Sequence, residues 1–373
     1  MMAKDIQEQV LERLGSLIDD ELGASLQELG LVGPVSSRLR RVSAQLYYVG
    51  GAPEVAQRLQ AEADAAVAEL GSSVTVELLP LDPAGQAQLR ERLMTPEMLE
   101  ARTTRTPVFS LPGSTARVIG VSSGKGGVGK SSVTANMAAE LARRGRRVGI
   151  LDADVYGFSI PKLLGLTSMP RVIDDLILPP KAFGVKVMSL GFFVEEDTPV
   201  IWRGPMLHKT IEQFLVDVLW GELDYLLVDM PPGTGDVALS LQQFLPRSEI
   251  FVVTTPQSAA VRVAQRSALA AKKLKLPVRG VIENMSAFVT PEGERYAIFG
   301  SGGGARLAGD LGVELLGEVP LTMALREGGD QGIPAVIGAA SDLASESLRE
   351  LVDRLESLGP VRRYRSDLKV QAK

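Results

Sequence analysis

The sequence predicts a doubly wound, mostly parallel α/β domain preceded by a small α+β domain. A length of 373 residues is more than one typical domain needs and suits two. In the larger, C-terminal part, short and nearly continuous apolar runs alternate with longer helical patterns. Such runs are expected of parallel strands covered by helices on both faces. They occupy residues 118–122, 148–152, 225–229, 250–254, 278–282 and 315–319.

The N-terminal part has the pattern of a small α+β domain. Ile6, Val10 and Leu14 recur at helical spacing, and Pro53 stands where a second helix would begin. Residues 44–49 and 73–78 have the composition of strands. A stretch with five prolines follows, in which the pattern predicts one short helix near residues 84–93. We therefore expect a small domain over residues 1–82, a Pro-rich linker over 83–116, the large domain over 117–358 and a basic tail over 359–373.

Composition excludes several kinds of function. The net charge of −5 gives no reason to expect binding to nucleic acid. There is no cysteine and only one histidine, which excludes disulfides, a thiol nucleophile, thiolate-bound zinc and an iron–sulfur cluster held by the chain's own thiolates. Because no apolar run is long enough to cross a bilayer and the N-terminus starts directly with an amphipathic pattern, we expect a cytoplasmic protein without a membrane partner.

A phosphate-binding loop follows the first predicted strand of the large domain. It reads Gly-Lys-Gly-Gly-Val-Gly-Lys-Ser and continues into a helical pattern, as a P-loop requires. Glycines let backbone N–H groups curl around a phosphate, and the helix N-terminus adds positive dipole. We expect Lys130 to contact the β- and γ-phosphates of ATP, and the Ser131 hydroxyl to ligate Mg²⁺. The nucleotide-binding residues predicted from this loop are Gly124, Lys125, Gly126, Gly127, Val128, Gly129, Lys130, Ser131 and Ser132.

Carboxylates follow two of the predicted strands at their carboxyl ends, where doubly wound sheets bind ligands. Asp152 and Asp154 end one strand, and Asp229 ends another. We expect Asp229 to hold Mg²⁺ through water and Asp152 to support the metal side. Residues 231–236, Pro-Pro-Gly-Thr-Gly-Asp, have the composition of a switch that senses the γ-phosphate. For Asp236, capping of the next helix is an equally good interpretation.

The second lysine of the loop, Lys125, gives it a resemblance to the deviant P-loop of the MinD, ParA and nitrogenase-iron-protein class. In that class the extra lysine reaches across a dimer to the partner's nucleotide, so the resemblance implies a homodimer with a cation supplied in trans. It further implies that Asp154 positions the attacking water and that Asn284 recognises adenine. Taken alone, Lys125 could be a solvated lysine and Asn284 a turn-forming asparagine. The resulting catalytic residues are Lys125, Lys130 and Asp154.

Further segments resemble the Mrp/ApbC family of ATPases, known as iron–sulfur cluster carriers that deliver clusters to apoproteins. They are residues 202–206, 223–236, 283–286, 298–300 and 326–330, and residues 19–23 and 28–32 resemble the iron–sulfur-assembly domain often fused ahead of this ATPase. The family's usual ligands are a Cys-x-x-Cys pair shortly after the Asn-Met-Ser segment. Here Thr290 stands in the first of those positions, and residues 50–53 read Gly-Gly-Ala-Pro where relatives of the N-terminal domain often carry a cysteine. The resemblance therefore implies the family, whereas the ligands for a cluster are missing.

Three functions compete at this point. The first is a slowly hydrolysing, dimeric ATPase of iron–sulfur maturation that lacks cysteine ligands of its own. The second is a nucleotide-switched interaction or positioning ATPase of the MinD/ParA type, without a cluster as cargo. The third, a metabolic kinase, is disfavoured by Lys125 and by the Pro-Pro-Gly-Thr-Gly-Asp segment.

Overall fold

The computed structural model describes residues 2–38, 41–49, 53–70, 74–155, 157–194, 204–233 and 235–361, and the side chains of all of these except 2–5 and 53–54. Several predicted features therefore lie partly or wholly outside the described residues. They are residues 50–52 of the Gly-Gly-Ala-Pro segment, residues 202–203, Thr234 and residues 362–373 of the basic tail. Within the described ranges, no helix is long and apolar enough to cross a membrane.

The N-terminal region is a three-stranded sheet packed against helices. The sheet has the order β3-β4-β5, with β3 antiparallel and β5 parallel to the central strand. The patterns near residues 44–49 and 73–78 correspond to β4 and β5. The pattern does not predict β3, because Gly33 and Pro34 weaken a strand signal. The elements are α1 (Met2–Gly15), β1 (Ile18–Asp19), β2 (Ala24–Ser25), α2 (Leu26–Leu29), β3 (Val32–Arg38), β4 (Arg41–Tyr48), α3 (Pro53–Val67), a 3-10 turn (Ala68–Leu70) and β5 (Val74–Pro80).

The Pro-rich stretch after β5 is largely helical. It forms α4 (Pro83–Leu93), α5 (Pro96–Thr104) and a 3-10 turn (Val108–Ser110). The prediction of one helix near residues 84–93 corresponds to α4, whereas α5 is an addition. Both helices begin with proline, directly after an N-cap side chain that accepts a backbone hydrogen bond. Proline is favoured at the first position of a helix, so these prolines start helices here.

The rest of the chain is an α/β unit around one large sheet. Among the described residues this sheet has nine strands, in the order β10-β11-β7-β12-β6-β13-β14-β15, with β16 also paired to β14. Its elements are β6 (Arg117–Ser123), α6 (Lys130–Arg143), β7 (Val148–Asp152), α7 (Ile160–Leu163), β8 (Arg171–Ile173), β9 (Leu176–Leu178), β10 (Lys181–Ala182), β11 (Val185–Ser189), a 3-10 turn (Leu190–Phe193), α8 (Gly204–Val216), β12 (Tyr225–Asp229), α9 (Asp236–Phe244), β13 (Glu249–Thr254), α10 (Ser258–Lys273), β14 (Val278–Val289), β15 (Arg295–Tyr296), α11 (Gly303–Leu311), β16 (Glu314–Leu321), α12 (Met323–Gln331), α13 (Ala335–Gly338) and α14 (Leu343–Leu358).

The predicted fold class is confirmed. All six predicted strands are present, as β6, β7, β12, β13, β14 and β16, and they pair in parallel. Apolar helix faces pack on both sides of the sheet, with α8, α9, α10 and α11 on one side and α6, α13 and α14 on the other. The parallel strand β11 adds to the predicted set; Lys186 and Ser189 interrupt its apolar pattern.

The register of the central strands brings the predicted carboxylates together. Strand β12 lies between β7 and β6, and Asp229 is the register partner of Asp152. Because the strands are parallel, both residues end their strands at the same edge of the sheet, beside the loop that leaves β6.

The N-terminal region shares its core with the hairpin formed by β8 and β9. Ile173, Leu176 and Leu178 are buried in one apolar cluster with residues of α1, α2 and β4. The buried Arg171 forms ion pairs with Asp19 and Glu21 at the base of this contact. The small region is therefore packed directly on the α/β unit.

Candidate nucleotide site

The predicted phosphate loop connects the end of β6 with the start of α6. Gly127 and Gly129 have φ values of 79° and 76°, the left-handed region that favours glycine. Gly124 is required for a different reason, because a Cβ there would lie 2.2 Å from the backbone nitrogen of Ala264 in α10. The sequence thus folds this segment into the strand–loop–helix arrangement of a P-loop.

An open cleft of about 440 Å³ lies over this loop. It brings most of the predicted nucleotide-binding residues together with the predicted catalytic carboxylate Asp154. Gly124 and Asn284 are outside its lining, since Gly124 packs against α10 and Asn284 contacts the loop at the Val128 carbonyl. The lining consists of Ser123, Lys125, Gly126, Gly127, Val128, Gly129, Lys130, Ser131, Ser132, Asp154, Gly157, Ser159, Leu163 and Pro232.

A buried cation is held among carboxylates at the floor of this cleft. The Nζ atom of Lys130 lies 2.6 Å from Oδ2 of Asp229 and 3.3 Å from Oδ2 of Asp154. Lys130 is only 5% exposed. These two contacts place the amine between carboxylates, next to the glycine-rich loop.

Each of the two strand-end carboxylates is held by hydroxyl groups. Asp229 accepts hydrogen bonds from Ser131 Oγ at 2.5 Å and from Thr134 Oγ1 at 2.9 Å. Asp152 accepts one from Ser189 Oγ at 2.9 Å. The sequence argument missed Thr134 and Ser189. Thr134 lies one helical turn after Lys130, a spacing that could have indicated it, whereas Ser189 ends the unpredicted strand β11.

The floor of the cleft places the carboxylates Asp152 and Asp229 on neighbouring strands. Complete burial, followed by the negative charge of the neighbouring Asp229, raises the pKa of Asp152 to about 8, against the opposing effects of Ser189 and Lys130. Ser131, Asp152 and Asp229 offer oxygen donors only, the type that Mg²⁺ prefers, and Mg²⁺ usually takes its other ligands from phosphates and water. The residues predicted for Mg²⁺ thus fit it chemically. In the part of the chain that the structure describes, no group of three or more His, Cys, Asp or Glu side chains is arranged to hold a metal ion.

Lys125 is placed differently from Lys130. It is exposed, and its Nζ atom donates a hydrogen bond of 3.2 Å to Oε1 of Gln257, the N-cap residue of α10. The amine thus lies on the surface at the rim of the loop. Its action on a partner's nucleotide stays a prediction.

Asn284 braces the phosphate loop from behind. Its Nδ2 donates a hydrogen bond of 2.9 Å to the carbonyl of Val128, and a Cβ at Gly129 would lie 2.2 Å from the same nitrogen. Its Oδ1 is buried and has no hydrogen-bond partner within the described ranges. Recognition of adenine by this residue stays a prediction.

The segment around Thr290, where the resemblance to the Mrp/ApbC family would place a cysteine, is a short hairpin. Strand β14 continues to Val289 and pairs with β15, and Thr290 closes the turn. The Thr290 N–H donates to the carbonyl of Glu294 at 3.0 Å, and its Oγ1 accepts from the N–H of Glu294 at 3.3 Å. Here Thr290 has a local turn function.

The predicted switch begins at the end of β12 and leads into α9. Gly233 has a φ of 95°, so its conformation requires glycine. Helix α9 has Gly235 as its N-cap, and Asp236 is its first residue. The alternative interpretation of Asp236 as the capping residue is therefore wrong.

A glycine-rich loop between a parallel strand and a buried helix, with carboxylates at the ends of the neighbouring strands, defines a P-loop NTPase. The ParA family model described as "NUBPL iron-transfer P-loop NTPase" matches residues 114–356. The chain belongs to this family.

Curated and solved relatives agree with this assignment. The iron-sulfur cluster carrier protein of Mycobacterium tuberculosis is 42% identical over 369 residues, covering 95% of this chain and 94% of the relative. A nucleotide-binding protein of Archaeoglobus fulgidus, solved in complex with ADP, is 38% identical with a TM-score of 0.53, covering 64% of this chain and 91% of that one. The cell division ATPase MinD of Pyrococcus furiosus, at 24% identity and a TM-score of 0.50, covers 65% of this chain and 99% of its own and shows the shared fold.

Proposed function

We propose that this protein is a cytoplasmic, homodimeric ATPase that hydrolyses ATP slowly and acts in delivering iron–sulfur clusters to apoproteins, without cysteine ligands of its own. The observation that carries the nucleotide part is the Lys130–Ser131–Asp229 cluster beneath the glycine-rich loop. The delivery part is supported by membership of the iron-transfer family and by carrier relatives that match nearly the whole chain.

The chemistry follows from the positions of the site residues. The N–H groups of the loop would hold the phosphates, and Lys130 would exchange its contacts with Asp229 and Asp154 for the β- and γ-phosphate oxygens. Ser131 and Asp229, supported by Asp152, would hold Mg²⁺, which neutralises charge on the phosphates when bound. Asp154 would then orient the attacking water and accept its proton.

Slow hydrolysis is expected because the described lining of the cleft contains no arginine to stabilise the transition state. We propose that Lys125 of a partner subunit supplies this cation after dimerisation. In one protomer its amine already lies at the rim of the cleft, where it donates an exposed hydrogen bond to Gln257. Turnover should therefore depend on the concentration of protein.

The domain division proposed from the sequence assigns residues 1–82 to an assembly-type domain, 83–116 to a connecting segment, 117–358 to the ATPase and 359–373 to a tail. In delivery, the first of these would contact the clients. It is supported for this function by its resemblance to assembly domains.

The alternative is a positioning ATPase of the MinD/ParA type that has no cluster as cargo. Thr290 favours it, since this residue closes a turn where relatives would place a thiolate. The two functions predict different iron contents: delivery requires that the protein retain iron together with a client, whereas a positioning ATPase retains none.

Anaerobic reconstitution with iron and sulfide, followed by iron and acid-labile sulfide analysis, tests this choice. It should be run on the full chain with and without Mg-ATP, and again with a cysteine-containing apoprotein client. We expect no iron on the chain alone and about one cluster per dimer when the client is present. No iron in any condition, with ATP hydrolysis intact, would overturn the delivery function and leave the positioning ATPase.

A further inference from the structure

A chain of buried hydroxyl groups binds the switch segment that follows β12. Ser267 in α10 donates its hydroxyl proton to the carbonyl of Gly233 at 2.9 Å. The Oγ atom of Ser122, in β6, lies 2.9 Å from Oγ of Ser267. Both serines are about 95% buried, with 4% and 5% of their surfaces exposed. A carbonyl can only accept, so the proton of Ser267 goes to Gly233 and that of Ser122 goes to Ser267.

The other polar group of Gly233 is also occupied. Its N–H donates to the carbonyl of Ser123, the last residue of β6, at 2.8 Å. Pro231 and Pro232 have no N–H, and the N–H of Met230 donates to the carbonyl of Val121. Pro232 lines the cleft, and the N–H of Gly233, the next residue, is the first after that of Met230. In the observed arrangement that N–H is already donated to a carbonyl.

Helix α10 links this contact to the phosphate loop. Three residues before Ser267, its backbone at Ala264 touches Gly124 so closely that no Cβ fits there. One face of a single helix thus contacts both the start of the loop and the switch. Because a close-packed interior transmits strain, a displacement of Gly233 should either break its bond to Ser267 or shift α10 against the loop.

We propose that Ser267, supported by Ser122, is a specificity-determining residue that weakens the binding of nucleoside triphosphates relative to diphosphates. A γ-phosphate that recruits the Gly233 N–H must first release it from Ser123, and the hydroxyl chain opposes that release. A diphosphate has no γ-phosphate, so it leaves the hydrogen bonds from Ser122 through Ser267 to Gly233 intact. We call these hydrogen bonds the serine latch. When a ligand binds only one of two arrangements of a protein, its apparent affinity is lowered in proportion to how little that arrangement is populated.

This inference rests on the proposed function, because it requires a nucleotide at the phosphate loop. Its test is the ratio of the dissociation constants for ADP and for the slowly hydrolysed analogue ATPγS, measured by isothermal titration with Mg²⁺ on the full chain. In Ser267→Ala the ratio of Kd for ADP to Kd for ATPγS should rise about fivefold, the factor equal to about 1 kcal/mol for one hydrogen bond. The gain should come from tighter ATPγS binding, with ADP binding unchanged.

Three further variants distinguish the effect of the serine latch on the ratio of dissociation constants from a general effect of altered packing. Ser122→Ala leaves the Ser267–Gly233 bond in place and should raise the ratio about twofold. Ser267→Thr keeps the hydroxyl and should retain the wild-type ratio. Ser248→Ala is the matched control, since this buried serine donates to the local carbonyl of Leu245 away from the cleft and should lower stability without changing the ratio.

An unchanged or lowered ratio in Ser267→Ala would overturn the inference while leaving the ATPase function intact. If Ser267→Ala does not fold, an unchanged ratio in Ser122→Ala overturns it instead. Failure of the wild-type chain to bind either nucleotide would contradict the proposed function itself.

Discussion

Strand β14 contacts the phosphate loop and continues into the hairpin around Thr290. The loop has the residues that the family resemblance implies, whereas the hairpin does not. At the loop, Lys130 and Ser131 both contact Asp229, the arrangement expected of a magnesium-nucleotide site. At the hairpin, Thr290 stands where the family resemblance would place a cysteine, in a chain without any cysteine. The same strand holds Asn284, which braces the loop, and starts to pair with β15 four residues later, at Phe288.

This difference reflects how much each region depends on particular residues. Phosphate binding needs particular backbone conformations and buried charges, so a single replacement at Gly129 or Lys130 would disturb several contacts at once. The backbone hydrogen bonds of a strand pair do not depend on which side chain stands in the turn at its end, so a replacement at Thr290 should disturb fewer contacts. A change of side chain at the hairpin is therefore expected to leave the contacts of the phosphate loop in place.

The largest expected effect is that of Lys130→Ala. It should reduce binding of fluorescent ATP and ADP analogues at least about a hundredfold, because it removes the phosphate-contacting cation and leaves buried carboxylates unpaired. Lys162→Ala, an exposed lysine on α7 near the cleft, is the matched control. Circular dichroism should establish that both variants fold. Binding within threefold of wild type would remove Lys130 from the site.

Asp154→Asn should act on turnover and spare binding. Loss of the group that orients the attacking water typically lowers the rate by about 10²–10⁴-fold, while the shape of the side chain is retained. The ATPase rate and the ATPγS dissociation constant, measured on the same preparation, separate the two effects. Asp174→Asn, in the exposed turn between β8 and β9, controls for the loss of one negative charge. Undiminished hydrolysis would exclude Asp154 from catalysis.

Lys125→Ala should lower turnover by about 10²-fold with little effect on nucleotide binding, as expected when one transition-state cation is lost. Mixing decides whether the lysine acts in trans. A Lys125→Ala protomer keeps its own Asp154 and can receive Lys125 from an Asp154→Asn partner. In a symmetric dimer, an equal mixture of the two inactive variants should therefore regain about a quarter of wild-type activity. Failure of the mixture to regain activity would mean that Lys125 acts within its own subunit or not at all.

The sequence predicts those parts of this molecule whose signal is local. Six strands are recognisable because each is a continuous apolar run, and the phosphate loop because its motif spans eight residues. Strand β11 escapes prediction because Lys186 and Ser189 break its apolar pattern. Helix α5 escapes because Pro96 looks like a breaker although it stands at a helix start.

The unpredicted parts of the site depend on contacts between distant residues. Ser189 and Ser267 are ordinary serines in the sequence, and only the packed sheet brings them to Asp152 and Gly233. The same holds for the β8–β9 hairpin, whose apolar residues complete the core of the N-terminal region although they lie far from it in the sequence. No periodicity encodes which element will cover which face.

The smallest expected effect, that of Thr290→Val, gives the most direct test of the contrast between loop and hairpin. This change removes one exposed hydrogen bond in the turn and should lower the free energy of unfolding by less than about 1 kcal/mol, as measured by urea denaturation. Nucleotide binding and turnover should stay unchanged, because the backbone pairing of β14 with β15 is retained.

The nucleotide affinity of Thr290→Val should be compared with that of Asn284→Ala, a variant on the same strand. It removes the donor to the Val128 carbonyl and should weaken nucleotide binding about five- to tenfold by loosening the loop. If Thr290→Val weakened nucleotide binding as much as Asn284→Ala does, the hairpin would be coupled to the phosphate site through β14. Equal binding in Thr290→Val and wild type, together with a loss in Asn284→Ala, would establish that the nucleotide machinery ends at Asn284 and that the following hairpin is free to vary.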